Sequence, residues 1–149
     1  MAQINARDYI FEVSEDPDAG TPVWAEIGGL ESFNLSNSEG EETADTTTFA
    51  SNGVAESQPM QRGAALSVEG KVVRNGTTPD AGQDAVDNLA QLTGEAALGG
   101  FRFRHADDTD WTVWTAWVSK GDNGGGTNDK TSFGATFTRS GAATTAVVV

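Results

Sequence analysis

The side chains best suited to catalysis lie in a polar turn around the only histidine of the chain. His105 is followed closely by Asp107, Asp108 and Asp110. A nucleophilic triad would have to use His105, but no nucleophile-elbow sequence surrounds a serine here. Catalysis needs a positioned set of groups and not a lone one. We therefore predict no catalytic residue and no enzymatic activity.

Metal and phosphate binding are the next possibilities. Two acidic turns hold oxygen ligands of the kind that Ca²⁺ takes, and neither matches the spacing of an EF-hand. Their residues are Asp107, Asp108, Asp110, Asp122, Asn123, Asn128 and Asp129. The glycine run 124–126 lacks the Lys-Ser or Lys-Thr of a phosphate-binding loop. The chain has no cysteine. We predict no metal site and no cofactor.

The four tryptophans are the last candidates for a binding site, because coplanar exposed indoles can stack on sugars. Trp111 and Trp117 share strand parity with Val113, whereas Trp114 has the opposite parity. Alternate residues of a strand point to opposite faces. Splitting the indoles between two faces favours packing in the core or against another subunit, so Trp24 and these three are not predicted to form a platform.

Charge is distributed very unevenly along the chain. Residues 1–61 carry twelve carboxylates and one cation, a net charge of −11, whereas residues 62–149 carry −2. An acidic surface repels nucleic acid and anionic membranes, because phosphate binding requires Lys and Arg. Neither a signal peptide nor an apolar stretch long enough for a membrane helix is visible. We expect a location in a cytoplasm, or in a particle assembled there.

Alternation of apolar and polar residues predicts about eight strands, which lie near residues 9–13, 23–27, 33–35, 54–61, 66–73, 101–103, 111–118 and 133–137. One helix is predicted over 81–94, beginning with Asp80 and Gln83 as a capping box. The length suits one domain. Residues 1–141 are predicted to form a β-sandwich or partly closed barrel with a flanking helix. Residues 142–149 form a tail that is either disordered or a strand without a partner.

Residues 37–53 follow neither a strand period nor a helix period. They contain four carboxylates, three consecutive threonines and one bulky apolar residue, Phe49. Long loops inside a compact domain are usually functional or disordered. We predict a long protruding loop or hairpin here.

Several segments, taken in order, resemble the tail tube proteins of long-tailed, siphovirus-like bacteriophages. Residues 27–33 read IGGLESF and precede the acidic segment 41–49, which reads EETADTTTF. A later element, NDKTSF at 128–133, leads to TRSG at 138–141. The resemblance covers about residues 24–141 and rests on the order of these elements.

The resemblance implies a structural virion protein with no enzymatic role. Its subunits would form hexameric rings, stacked into a hollow tail tube that is assembled in the host cytoplasm. The long loop would reach a neighbouring ring through Glu41, Glu42, Asp45 and Phe49. Other implied partners are the tape measure, the tail tip or initiator, and the terminator. The viral DNA would pass through the lumen without specific binding, and no membrane is involved.

An acidic bore agrees with the net charge of −13, because six copies would carry −78. Like charge on all sides prevents DNA from adsorbing to a narrow channel. We predict that single acids on alternating strands line the lumen, namely Glu26, Glu56 and Glu69.

Three other interpretations remain open from the sequence. The tube protein of a contractile secretion system has a related fold. A non-catalytic carbohydrate-binding β-sandwich would need exposed coplanar indoles and an export signal. A halophilic protein would be acidic, but a general adaptation to salt should not leave residues 62–149 nearly neutral.

Overall fold

A computed structural model describes residues 1–16, 18 and 20–148 of the chain. Residues 16–20, in which Pro and Gly stand at positions typical of a turn, fall partly outside this range, because Pro17 and Ala19 are not described, and neither is Val149 of the predicted tail. Twelve strands, one α-helix and three short 3-10 helices are described. The strands are β1 (Tyr9–Ser14), β2 (Ala25–Glu26), β3 (Leu30–Ser36), β4 (Glu42–Asp45), β5 (Ser57–Gln61), β6 (Ala65–Lys71), β7 (Arg74–Asn75), β8 (Thr78–Pro79), β9 (Gly99–His105), β10 (Asp110–Lys120), β11 (Ser132–Arg139) and β12 (Thr144–Val147).

Eight strands form one antiparallel sheet in the order β2-β1-β9-β10-β11-β6-β3, with β12 paired to β10 beside the end of β11. The sheet curls strongly. Phe33 on β3 packs against Tyr9 and Phe11 on β1, with ring centroids 4.8 and 5.2 Å apart, although β1 and β3 are not hydrogen-bonded neighbours. The fold is therefore a partly closed barrel, and the predicted mainly β class with one flanking helix is confirmed.

The inner face of this curled sheet holds the core. Alternate residues from every long strand meet there, as the predicted period of two requires. Phe101 and Phe137 stack at the centre with ring centroids 4.0 Å apart, and Trp114 packs beside Phe101 at 6.0 Å. The other face of the sheet, the outer face, carries polar residues and the remaining two tryptophans of β10.

Helix α1 (Ala81–Ala90) packs its apolar stripe of Ala85, Val86 and Leu89 on β1, β2 and β10. Gly82 allows this contact, because a Cβ there would collide with the carbonyl of Glu26. The helix ends at Ala90, earlier than the predicted 94. Gly94 lies in the left-handed region at φ +69°, after an extended Thr93, so the helical hydrogen bonds cannot continue.

The predicted capping box is half correct. The carboxylate of Asp80 accepts a hydrogen bond from the backbone N–H of Gln83 at 3.1 Å, which caps the helix. The Gln83 side chain does not return to Asp80. Its amide donates instead to the carbonyls of Gly28 and Lys71. Tertiary partners have displaced the local one.

The C-terminal segment that the sequence left open is ordered as a strand. Residues 144–147 form β12, which pairs with β10 of the same chain, so the alternative of a strand holds and its partner is internal. Asn75-Gly76, a dipeptide typical of turns, lies between the two-residue strands β7 and β8, with Gly76 at φ +65°.

Candidate functional site

Residues 37–53, the segment predicted to protrude, form a hairpin together with residues 54–64, part of which was predicted as a separate strand. This hairpin stands off the barrel, and residues 37–64 are called the arm. Strands β4 and β5 pair only with each other in a separate two-stranded sheet. Nearly every residue from 39 to 62 is exposed. The arm leaves the barrel where β3 ends at Ser36 and returns where β6 begins at Ala65, and these two residues are register partners. One end of the barrel, the arm end, therefore carries the whole projection.

The tip of the arm is held by its own hydrogen bonds. The hydroxyl of Thr47 donates to the carbonyl of Glu56 at 3.1 Å and accepts from the N–H of Glu56 at 2.8 Å. The Ser51 hydroxyl donates to the Glu56 carboxylate at 2.8 Å and accepts from the N–H of Thr48 at 3.1 Å. A 3-10 turn over Phe49–Ser51 closes the tip. Such reciprocal capping gives an exposed loop a defined shape.

Phe49 lies at this tip and is fully exposed, and Val54 and Met60 on the arm are largely exposed as well. Burying a phenylalanine side chain stabilises a structure by roughly 1.5–3 kcal/mol. No residue that the structure describes covers the Phe49 ring. Exposed apolar side chains on a defined scaffold are typical of a surface that contacts another protein.

The carboxylates of the arm have different environments. Glu41 forms an ion pair with Arg62 at 2.9 Å, whereas Glu42 forms none within the described residues. The pKa of Asp45 is lowered, first by the Thr47 hydroxyl and second by the Thr47 backbone N–H, which donates at 2.9 Å. The Thr47 hydroxyl also donates to the Glu56 carbonyl at 3.1 Å. The structure thus brings all four predicted contact residues, Glu41, Glu42, Asp45 and Phe49, onto one projection.

The three acids predicted to line a lumen lie in three different places. Glu26 is exposed on β2 at one edge of the main sheet, opposite Glu12. Glu69 is exposed on the outer face of β6, five strands away in sheet order. Glu56 lies in the arm beside Ser51, so the premise that it belongs to an alternating strand was wrong. The premise failed because β5 begins only at Ser57.

The tryptophans divide between the two faces as the parity predicted. Trp114 is buried in the core, and Trp111 is buried on the outer face beneath Arg102 and Arg104, whose guanidinium carbons lie 4.2 and 4.9 Å from its ring centroid. Arg102 also stacks on Trp24 at 4.4 Å. Trp117 is 45% exposed. An arginine stacked between two indoles is a packing arrangement that covers one face of each indole.

His105 has a structural position. It is buried, its Nδ1 accepts from the backbone N–H of Asp107 at 3.2 Å, and its backbone N–H donates to the Asp108 carboxylate at 3.0 Å. These contacts hold the turn between β9 and β10. Among the described residues, no group of three or more His, Cys, Asp or Glu side chains is placed to hold a metal ion. No helix of this described part is long and apolar enough to cross a membrane.

Two solved structures share this fold over almost the whole chain. One is a chain of the virion of a native gene transfer agent (GTA) particle, which is 18% identical, with 98% of this chain and 100% of that chain covered and a TM-score of 0.72. The other is a chain of the tail of an empty GTA particle, computed with helical refinement in C6 symmetry, at 19% identity, the same coverage and a TM-score of 0.73. No protein-family model and no curated protein matches the chain. At this level of identity the likeness establishes the mainly β fold with its flanking helix.

Proposed function

We propose that this chain is a structural subunit of a phage-like virion tail. Copies form rings of six, and the rings stack into a hollow tube that conducts the genome. The observation that carries the proposal is the arm, a self-capped hairpin that presents Phe49 to solvent from one end of the barrel. The fold likeness to a tail with C6 symmetry supports it.

The arm is the proposed contact between rings, through Glu41, Glu42, Asp45 and Phe49. A contact made from one end of a subunit to a different surface of the next is heterologous, and such contacts build open stacks. Burial of Phe49 supplies apolar stabilisation, and the carboxylates supply specificity. The ordered tip reduces the conformational entropy that is lost on association.

The acidic lumen is a second part of the proposal. A ring of six carries a formal charge of −78. Duplex DNA carries about one negative charge per 1.7 Å of its axis, so an acidic wall repels it from all sides and keeps it mobile. Glu26, Glu56 and Glu69 are the proposed lumen-facing residues. Because they lie in three separate places, each has to be tested alone as well as together.

The proposed location is the virion tail, assembled in the host cytoplasm, with a tape measure protein, a tip or initiator complex and a terminator as partners. The protein has no catalytic role in this proposal. The tube of a contractile secretion system shares the architecture and is the second candidate. The sugar-binding alternative is disfavoured, because Arg102 separates Trp24 from Trp111 and Trp114 is in the core.

Negative-stain electron microscopy of the purified protein at rising concentration tests the proposal. Six-fold rings or hollow tubes are the expected result. Monomers that persist at high concentration and after long incubation would contradict it. A glycan-binding screen on such monomers would then test the sugar-binding module. Tubes that associate with phage-type tape measure protein would separate the phage tail from the secretion tube.

A further inference from the structure

A cavity of about 480 Å³ lies among β7, α1 and the connection from β10 to β11, and its lining is cationic. Arg74, Lys120 and Lys130 contribute to this lining, and Asp87 is the one carboxylate among the described residues that do so. The whole chain has only nine Lys and Arg against 22 acids. A third of its cations therefore surround one cavity.

Most of this positive charge is not neutralised within the chain. Lys120 pairs with Asp87 at 2.5 Å and its ammonium lies 4.5 Å from the centroid of the Phe133 ring. Arg74 and Lys130 form no ion pair with any residue that the structure describes. Asp122 and Asp129 belong to the same β10–β11 connection but do not line the cavity. The cavity thus offers two free cations to an acidic ligand.

The cavity and the arm lie at opposite ends of the barrel. Strand β6 begins at Ala65, where the arm returns, and ends at Lys71, three residues before Arg74. Lys71 pairs with Ser132, the first residue of β11, two residues after Lys130. A strand of this length spans about 20 Å. Copies stacked in the same orientation therefore bring the arm of one close to the cavity end of the next.

The arm is the acidic counterpart that the cavity requires. Residues 37–64 contain five carboxylates and one arginine, a net charge of −4. We propose that the cavity at the end opposite the arm is the docking site for the arm of a second copy of this chain. Arg74 and Lys130 bind its carboxylates. Asp45 is a ligand of the required kind, because it lies near the tip beside Thr47, is exposed, and forms no ion pair among the described residues. Arginine can bind such a carboxylate through two parallel hydrogen bonds. This inference rests on the proposed function and names the site on the neighbouring ring.

Charge reversal tests the docking site. Arg74→Glu removes one cation from the cavity, and Arg7→Glu makes the same change in net charge at an exposed residue outside it. We expect Arg74→Glu to raise the protein concentration needed for tubes about tenfold, as the loss of a charge-assisted contact at each subunit implies, with rings and melting temperature unchanged. Arg7→Glu should have a much smaller effect. Equal effects of the two substitutions would overturn the docking site.

Cross-linking supplies a second measurement that does not depend on charge. The chain has no cysteine, so introduced cysteines are the only targets for a short bis-maleimide. Copies carrying Ala50→Cys at the tip of the arm are mixed with copies carrying Asn123→Cys at the cavity. We expect cross-linked pairs that contain both positions after assembly. Ser140→Cys, at the arm end, should give none with Ala50→Cys.

The outcomes separate the two proposals. Tubes without a cross-link between positions 50 and 123, or with an equal cross-link between 50 and 140, overturn the docking site and leave the tail proposal standing. Monomers under every condition overturn both, since no second copy is then bound. Tubes with the expected cross-link support both.

Discussion

The side-chain amide of Gln83 donates a hydrogen bond to the carbonyl oxygen of Gly28 across 2.8 Å, and so fastens the first turn of α1 to the segment between β2 and β3. The same amide donates to the carbonyl of Lys71 at 2.9 Å, and its oxygen accepts from the N–H of Val73 at 3.2 Å. One buried side chain thus joins α1 both to the end of β6 and to the more distant segment between β2 and β3.

Replacing Gln83 with alanine should destabilise the fold by about 2–4 kcal/mol, because partly buried backbone groups of Gly28, Lys71 and Val73 would lose their partner. Urea denaturation followed by tryptophan fluorescence measures the change in unfolding free energy. The matched control is Gln91→Ala at the exposed end of the same helix, which we expect to cost within about 0.5 kcal/mol. Similar losses in both variants would contradict this role of Gln83.

Replacing Phe49 with alanine should leave the melting temperature of the monomer unchanged, because the ring contacts no described residue of its own chain. If the Phe49 side chain is buried between stacked hexamers, each contact in the variant loses roughly 1.5–3 kcal/mol of association free energy. This loss raises the protein concentration needed for tubes by about ten- to a hundredfold. Sedimentation of assembled protein over a concentration series measures this shift.

Ile4→Ala is the control for Phe49→Ala, since Ile4 is also an exposed apolar residue but lies outside the arm. It should assemble at the same concentration as the unmodified protein. If Phe49→Ala forms tubes at the same protein concentration as the unmodified protein, Phe49 is not part of the contact between rings.

Asp45 should titrate below the usual range of an aspartate, because Thr47 donates hydrogen bonds to its charged form. Because the pKa of Asp45 is lowered in the folded state, its charged form stabilises the folded tip. This stabilisation is present above the pKa of Asp45 in the unfolded chain and is lost as the pH falls through the pKa in the folded chain. Carboxyl carbon shifts in an NMR titration measure this pKa. Thr47→Ala should raise it toward the ordinary value, and an unchanged Asp45 titration in that variant would refute the assignment.

Neutralising the proposed lumen acids should slow or arrest genome ejection, because a less acidic wall repels DNA less. The test compares Glu26→Gln, Glu56→Gln and Glu69→Gln, singly and combined, in assembled particles by the rate of DNA release. A matched triple variant, Glu15→Gln with Asp84→Asn and Glu95→Gln, removes the same charge outside the sheet strands and should release DNA normally. Normal DNA release from the triple variant of Glu26, Glu56 and Glu69 would contradict their placement in the lumen.

Much of this architecture was readable from local patterns. Alternation predicted the long strands and the division of Trp111, Trp114 and Trp117 between faces, since a strand fixes side-chain direction by parity alone. Asp80 was predicted as a helix cap because capping involves only neighbouring residues. Residues 37–53, the first part of the arm, were recognised because their acids and threonines fit no period.

Other features depended on contacts between residues distant in sequence. Glu56 was assigned to an alternating strand, but its carboxylate is part of the tip because the pairing of β4 with β5 starts one residue later. The cationic cavity was missed altogether. Arg74, Lys120 and Lys130 are separated along the chain, and the registers of β6 and β10 with β11 bring them together.

The sequence by itself determined the mainly β class, the helix start, the acidic imbalance and the presence of a projecting segment, because each depends on composition or on neighbours within a few residues. Only the tertiary structure decided the curl that brings Phe33 to Phe11, the partners of Gln83, the pairing of the C-terminal strand with β10, and the placement of arm and cavity at opposite ends. These depend on which strands pair and in which register, and that choice is made by packing across the whole barrel, where one residue of slip moves every side chain to the other face.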